Sequence, residues 1–391
     1  MDEFVRLTLT LAIVILASSW FKWMFYERPR PPLPPGPRCL PVVGHLPFRD
    51  LEFHSYFARL ARIHGPIFHL RNELGVVVTS PSLARQGLRE GHYLGQQRRA
   101  GGGLGHVVRP LLLTMLRRVC VSQMLGSATL NAFYDLRRRE VHRMLSYLYS
   151  QASPVNVGEQ MFLTIMNVMT SMLWRGTVKG GERESLAAEF KQVVAEMTEL
   201  LGKPNISDFF PGLAPFDLQG IKKWFKALAT KLDGVFDPII AQRVKMDKEG
   251  GSIEGKAGKD FLQFLLNLKD EGDSKTPLKM AHVKALLIDM VVGGTDSTSN
   301  TLKFAIADMM NKPEVMKKAQ QELDVVVGKD SIEEESHIYR LPYLSAVMKE
   351  AMRLHPMLPL MVPHCPSETC VVGGYTIPKG VRIFVNVWAI H

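Results

Sequence analysis

The sequence predicts a mainly α-helical chain with small β-sheets, and three observations predict it. Between Ala281 and Met310, apolar side chains fall at Val283, Leu286, Leu287, Met290, Leu302, Ala305, Ile306 and Met309, the 3.6-residue spacing of one long helix. From Val155 to Leu268 the chain reads as a series of amphipathic helices, broken at Gly202-Lys203-Pro204 and at Phe210-Pro211-Gly212. The β-rich runs are short: Ile67 to Leu70, Gly75 to Thr79, Val371 to Ile377 and Val381 to Trp388. At 391 residues and 46% apolar content the chain can bury a large core. No repeat of 20 to 50 residues is visible, which excludes a solenoid.

Taken in order, Leu7 to Phe21 is uncharged and mostly apolar, with Arg6 before it, Lys22 after it, and Trp20, Trp23, Phe25 and Tyr26 as an aromatic belt. A span needs roughly 20 apolar residues, and with Lys22 snorkelling the segment reads as an N-terminal transmembrane helix, residues 1–26 forming a membrane anchor. A cleaved signal peptide is the competing reading, but no small-residue cleavage site follows. Arg28, Arg30 and Arg38 follow the span while Asp2 and Glu3 precede it, which keeps the bulk of the chain cytosolic. Pro31-Pro32-Leu33-Pro34-Pro35-Gly36-Pro37 is a stiff polyproline spacer, a hinge over residues 27–40. His54 to His64 forms a short helix, the next two β-rich runs a hairpin, and Pro81-Ser82-Leu83-Ala84 opens a further helix.

Gln96 to Gly105 is a basic, glycine-rich loop; with no Lys-Ser/Thr after it and no strand before it, it is not a phosphate loop. Arg137-Arg138-Arg139 with Arg143 is a basic patch, read either as a solvated face or as a dock for an acidic partner. Gly250 to Lys259 is a charged linker, and the Asn205-Ile206-Ser207 glycosylation triplet has no meaning in a cytosolic segment. Pro313 opens a helix that stops at Gly328, and Pro342 opens another that ends before His355-Pro356. On that last helix Glu350 and Arg353 stand three apart, the spacing of an ion pair. The four cysteines, Cys39, Cys120, Cys365 and Cys370, lack metal-type spacing and indicate a reducing compartment without a disulfide scaffold. A net charge of +10 suits an acidic partner or an anionic membrane surface, and no nucleic-acid ligand is expected.

The long helix is interrupted chemically at its middle. Gly293-Gly294-Thr295-Asp296-Ser297-Thr298-Ser299 sets two glycines among hydroxyl and carboxyl side chains, and each glycine costs a helix about 1 kcal/mol relative to alanine. Asp289, Gly293, Asp296 and Asn300 recur at three- and four-residue steps and so share a face. The hydroxyls can bond back to carbonyls one turn earlier and bend the helix. Such a polar, glycine-flattened notch is what a flat ligand approaching the backbone requires; a kink without chemistry is the alternative.

Gly293 to Thr298 resembles the oxygen-activation segment of the central helix in the cytochrome P-450 family of haem-thiolate monooxygenases, and Lys349-Glu350-Ala351-Met352-Arg353 resembles that family's Glu-x-x-Arg helix. The resemblance covers most of residues 31–391 and fails over roughly 91–113, where Leu113 stands at a position the family fills with Trp and Arg117 keeps the family's Arg. It implies a cytochrome P-450 fold, incomplete at the C-terminus, with residues 41–391 as a truncated catalytic domain. It implies haem as cofactor, with Asp296 and Ser297 as proton-relay residues on the oxygen side and Thr298 beside them in the catalytic group, next to Gly293 and Gly294. Arg117 and His364 would bind haem propionates, and Pro359 to His364 would form the strand bordering the substrate pocket. Glu350 and Arg353 would form a buried structural pair.

The resemblance also implies an endoplasmic-reticulum membrane protein that takes electrons from NADPH-cytochrome reductase and oxidises a small apolar plant metabolite, a terpenoid or flavonoid. The family's ligand cysteine lies in a loop beyond the last residue here, and none of the four cysteines occupies its position. The expectation is therefore a monooxygenase lineage inactive as written; the rival expectation is a non-catalytic membrane-tethered fragment or interaction protein.

Overall fold

In the computed structural model of this chain the described residues are 32–37, 52–70, 75–89, 110–174, 181–202, 207, 211–248, 260–271, 277–329, 331–332 and 334–391. The chain divides into two compact units, Met1–Leu94 with His364–Phe384, and Gly95–Pro363 with Val385–His391.

In the first unit, helix α1 (Phe53–His64) ends at Gly65, whose φ of 95° lies in the left-handed region that favours glycine. Strands β1 (Ile67–Leu70) and β2 (Gly75–Val78) pair antiparallel with Ile67 opposite Val78, and β5 (Ile383–Val385) extends the sheet in the order β1-β2-β5. Helix α2 (Pro81–Arg89) follows β2. Strands β3 (Cys370–Val372) and β4 (Tyr375–Ile377) form the expected hairpin. Its turn is Gly373-Gly374, at φ of 59° and 81°, the two positive angles a tight hairpin turn needs. Phe57, Phe68, Val77, Val78, Val372, Ile377 and Ile383 make the core, with the Phe57 ring 6.4 Å from Phe68 and 6.0 Å from Phe384.

The proline segment is more than a spacer. His69 N–H donates to the Pro35 carbonyl at 2.8 Å, Thr376 N–H donates to the Pro32 carbonyl at 3.0 Å, and the His69 ring contacts the Pro34 carbonyl. Proline has no N–H to give, so the segment docks through its carbonyls alone. A Cβ on Gly36 would stand 2.2 Å from the His69 carbonyl oxygen, so only glycine fits there.

The second unit is helical. Helix α3 (Pro110–Val119) runs into a π turn over Cys120–Met124, followed by α4 (Ser127–Ala132), α5 (Tyr134–Ser150), α6 (Val157–Trp174) and α7 (Gly181–Gly202). Then come α8 (Ile221–Lys248), α9 (Phe261–Glu271), α10 (Met280–Asn311), α11 (Pro313–Val326) and α12 (Pro342–Leu354). Asn386 caps the short α13 (Val387–Ile390), accepting from the Ala389 N–H, and this cap ends the strand expected to continue to Trp388. The core gathers around Trp174, stacked on Phe190 at 5.8 Å, with Phe236 edge-on to both. Helix α10 packs chiefly on α6, burying Val283, Leu287, Val291, Thr295 and Ala305.

Two capping arrangements escape sequence inspection because the cap comes from outside the helix. Asp217, at a φ of 42°, turns its carboxylate onto the Lys222 and Lys223 N–H groups at the start of α8, both at 3.0 Å. Glu322 of α11 accepts from Tyr343 and Leu344 N–H at the start of α12, at 2.8 and 2.9 Å.

Four expectations need correction or delimitation. Pro359 to His364 is not a strand: the prolines at 359 and 363 remove ladder donors, Met361 adopts a φ of 51°, and only His364 bridges to Ile383. The membrane anchor over 1–26, the loop from Gln96 to Gly105 and the linker from Gly250 to Lys259 lie outside the described residues. Among the described residues no helix is long and apolar enough to cross a membrane.

A buried polar cluster joins α8 to α9. Arg243 Nε donates to Gln263 Oε1 at 2.8 Å, Gln263 N–H donates to Asp260 Oδ1 at 2.9 Å, and Arg243 Nη2 lies 3.6 Å from Asp260 Oδ2. Burial pushes the Asp260 carboxyl above the ordinary carboxylate range, against the opposing pull of the Gln263 N–H and the Arg243 charge. A raised value means the folded state holds the proton more tightly, so this stabilisation is complete below the ordinary carboxylate value and is lost as pH rises through the raised one. Urea denaturation across that window is expected to show wild type losing stability relative to Asp260→Asn as pH climbs. At neutral pH, Arg243→Met is expected to cost about 3 kcal/mol by stranding a buried carboxylate, and adding Asp260→Asn to recover part of it.

Candidate functional site

The middle of α10 keeps its helical path while its hydroxyls compete for its carbonyls. Thr295 Oγ1 donates to the Val291 carbonyl at 2.6 Å, Ser297 Oγ to that of Gly293 at 2.6 Å, Ser299 Oγ to that of Asp296 at 3.1 Å, and Thr301 Oγ1 to that of Ser297 at 2.8 Å. These are the back-bonds that loosen a helix locally. Thr295 and Ser299 are buried on the core side, so their hydroxyls satisfy themselves there.

The opposite face is open. Gly293 is exposed, and a Cβ built on it meets no atom within 4 Å. Asp296 and Ser297 are half-buried beside it, and Asn300 Nδ2 donates to Asp296 Oδ1 at 3.1 Å, fixing the carboxylate's orientation. Gly294 turns toward α6 instead. A Cβ there would fall 2.7 Å from the Met169 Cε and 3.1 Å from its Sδ, so the missing side chain is the space the Met169 tip occupies. The two glycines thus do different work, one flattening the open face and one admitting a neighbouring helix.

The structure brings together Gly293, Asp296 and Asn300, as the spacing predicts, with Ser297 beside them. Thr298 does not join them: one residue on from Ser297, it is rotated about 100° round the helix and is exposed elsewhere. Met169 carries no sequence signal, because a methionine on an amphipathic helix reads only as core.

Glu350 and Arg353 form the ion pair that their spacing predicts, with Arg353 Nε and Nη2 donating to the two Glu350 oxygens at 2.8 and 2.7 Å. Both groups are exposed, at 54% and 45%, where a buried pair was expected, and Arg353 Nη1 reaches the His391 carbonyl at 2.9 Å. The Arg353 guanidinium holds the Glu350 carboxyl below its usual range, and at this exposure the pair contributes little to stability. Arg117 is exposed on α3 in the second unit; His364 belongs to the first, its backbone paired with Ile383 at 3.0 and 2.8 Å. The basic patch of α5 is largely engaged within the chain, Arg137 with Glu335, Arg138 with Glu334 and Arg143 with Glu140.

Compared with known proteins, residues 34–391 match the family described as cytochrome P-450. The chain belongs to the cytochrome P-450 family. Among its relatives, the 3,9-dihydroxypterocarpan 6A-monooxygenase of Glycine max is 33% identical over 97% of this chain and 78% of its own. The flavonoid 3′-monooxygenase of Arabidopsis thaliana is 35% identical over 92% and 72%, and the carnosic acid synthase of Rosmarinus officinalis 32% identical over 98% and 79%. A zebrafish cytochrome P-450 solved with progesterone shares the fold, with a TM-score of 0.70 and 23% identity over 87% of this chain and 80% of that one.

Haem is the cofactor of this family, and the open face of α10 fits one side of it: a flat group can lie against Gly293, where no side chain intervenes. The described cysteines do not fit the other side. Cys120 is buried at the π turn with its thiol pushed up to about 11, by burial first and then by Asp289, so it stays protonated. Cys365 Sγ donates to the Gly380 carbonyl at 3.4 Å, and Cys370 is buried on β3. Among the described residues no cluster of His, Cys, Asp and Glu could hold a metal ion.

The contrast between the two glycines is measurable. In this P-450 chain Gly293→Ala is expected to stabilise by up to about 1 kcal/mol in chemical denaturation, since the methyl enters open space and the helix gains propensity. Gly294→Ala is expected to lose that gain to the Met169 clash and to show it only when measured against a Met169→Ala background.

Proposed function

We propose that this chain carries the oxygen-side wall of a haem-dependent monooxygenase that inserts one O2 oxygen into a small apolar plant metabolite of the flavonoid or terpenoid class. The observation that carries this reading is the Gly293–Asn300 face, flat at Gly293 and polar beside it. The names of the plant relatives support the substrate class. Bound haem supplies oxygen activation, for which a thiolate ligand donates electron density to iron.

The chain's own residues bind, orient and move protons. Asn300 holds one oxygen of the Asp296 carboxylate, leaving the other to take a proton from solvent and pass it on. Ser297 donates a hydrogen bond to the Gly293 carbonyl, which leaves its oxygen free to accept one from the Asp296 side. To relay a proton the hydroxyl would turn from Gly293 and release its own proton to the ligand face as it takes one from that side, and it stands where the family usually has threonine, with the hydroxyl retained. Thr298 lies off this face and serves as a neighbour of the relay rather than a member. Arg117, in the same unit as α10, would pair with a haem propionate. The electron donor proposed is NADPH-cytochrome reductase; of the four arginines of the α5 patch only Arg139 has no ion pair among the described residues, so the patch offers an acidic partner less charge than its sequence implies. The location proposed is the endoplasmic-reticulum membrane, with residues 1–26 as a single-pass anchor, 27–40 as the hinge and the remainder cytosolic.

The described cysteines do not fit a thiolate ligand, Cys120 staying protonated and Cys365 bonded to the Gly380 carbonyl, and we propose that residues 1–391 on their own are catalytically inactive. The exposed Glu350–Arg353 pair favours the second reading, a non-catalytic membrane-tethered fragment or interaction protein. Haem titration of the expressed chain with circular dichroism separates the two. The first reading expects helical protein that takes up haem without a thiolate-type reduced carbon-monoxide band. It further expects that band, and flavonoid or terpenoid oxidation, once the downstream segment of a plant relative is grafted on, with Ser297→Ala slowing turnover about a hundredfold. Helical protein that takes up no haem in either form supports the second reading, and a thiolate-type band from residues 1–391 alone overturns the proposed inactivity.

A further inference from the structure

Helix α10 is weakest at its middle, since two glycines and four back-bonded hydroxyls fall between Gly293 and Thr301. The packing of α6 holds one side of this middle, and fixed flanks add to its support. The N-terminal flank is fixed by Lys284, whose Nζ reaches Asp233 Oδ1 at 2.7 Å and Asp237 Oδ1 at 2.6 Å on α8. The C-terminal flank is fixed differently. The His355 ring lies parallel to Phe304, with centroids 4.4 Å apart and planes within 10°, and its Nε2 stands 2.9 Å from Asp308 Oδ2.

Three features make His355 more than a chance neighbour. Gly293, Ser297, Asn300, Phe304 and Asp308 recur at three- and four-residue steps, so the ring covers the same face of α10 that is open at the notch. His355 is itself held, its N–H donating to the Ala351 carbonyl at 2.9 Å while Pro356 prevents α12 from continuing. Both Asp308 and His355 are about one-third exposed, where an ion pair alone contributes little; the stack supplies the apolar contact that fixes the geometry.

We propose that His355 is a positioning residue, the clamp by which α12 holds the C-terminal half of α10 in line and so fixes the notch between two anchors. The proposal deepens the reading of α10 as a ligand-facing wall, yet it is tested without haem, so its failure is distinct from failure of that reading. Amide hydrogen exchange of the full chain is the measurement, with His355→Ala, His355→Phe and His355→Gln against wild type and Lys284→Met as the control at the other flank. In His355→Ala, exchange over residues 297–308 is expected to quicken about tenfold while α8 and α9 hold their protection. His355→Phe keeps the stack and His355→Gln keeps a donor to Asp308, so each is expected to restore part of the protection; Lys284→Met is expected to quicken exchange before Gly293 instead. Unchanged exchange over 297–308 in all three His355 variants, or a uniform rise across every helix, overturns the proposal. Should His355→Ala fail to fold, the Phe and Gln variants decide alone: partial loss of protection confined to 297–308 supports the clamp, and wild-type protection in both overturns it.

Discussion

The close approach of α6 to α10 governs the second unit. Met169 can seat its thioether tip against the α10 backbone only because Gly294 has no side chain, and that seat fixes which face of α10 is buried. With Val291, Thr295 and Ser299 committed to the core, the helical period leaves Gly293, Asp296, Ser297 and Asn300 on the other side. A polar face is thereby held open on a helix that would otherwise gain by covering it. The cost is a helix weakened at its middle, and the ties at Lys284 and His355 lie on either side of that weak point.

Much of this was legible in the chain, and what was not has a physical pattern. The limits of α10, α11 and α12 follow from apolar spacing, from Pro313 and Pro342 in first turns, and from Gly328 and His355-Pro356 at the ends, all local signals. The β3–β4 hairpin follows from Gly373-Gly374 in the same way. Illegible were contacts whose partners are distant in sequence. Glu322 capping α12, Asp260 facing Arg243, and Phe304 stacked on His355 each join residues that no periodicity relates.

The candidate site divides along the same line. The sharing of one face by Gly293, Asp296 and Asn300 is a matter of helical geometry and could be read directly. The different tasks of the two adjacent glycines could not, because they depend on which neighbour lies over each. Likewise the spacing of Glu350 and Arg353 predicts their bond but not their exposure, which is a property of what surrounds the helix rather than of the helix. The strand expected over Pro359 to His364 failed because two prolines and a residue at positive φ deny it a ladder, a local veto that outweighs resemblance.

The docked proline segment has a mechanical meaning. Because Pro32 and Pro35 are bonded to β4 and β1, and Gly36 leaves no room for slack beside His69, tension or torque arriving from the residues before them passes first into the two small sheets of that unit. The segment is a strut welded at both ends, and strain on the N-terminal side would register in the sheet registers before any hinge had bent.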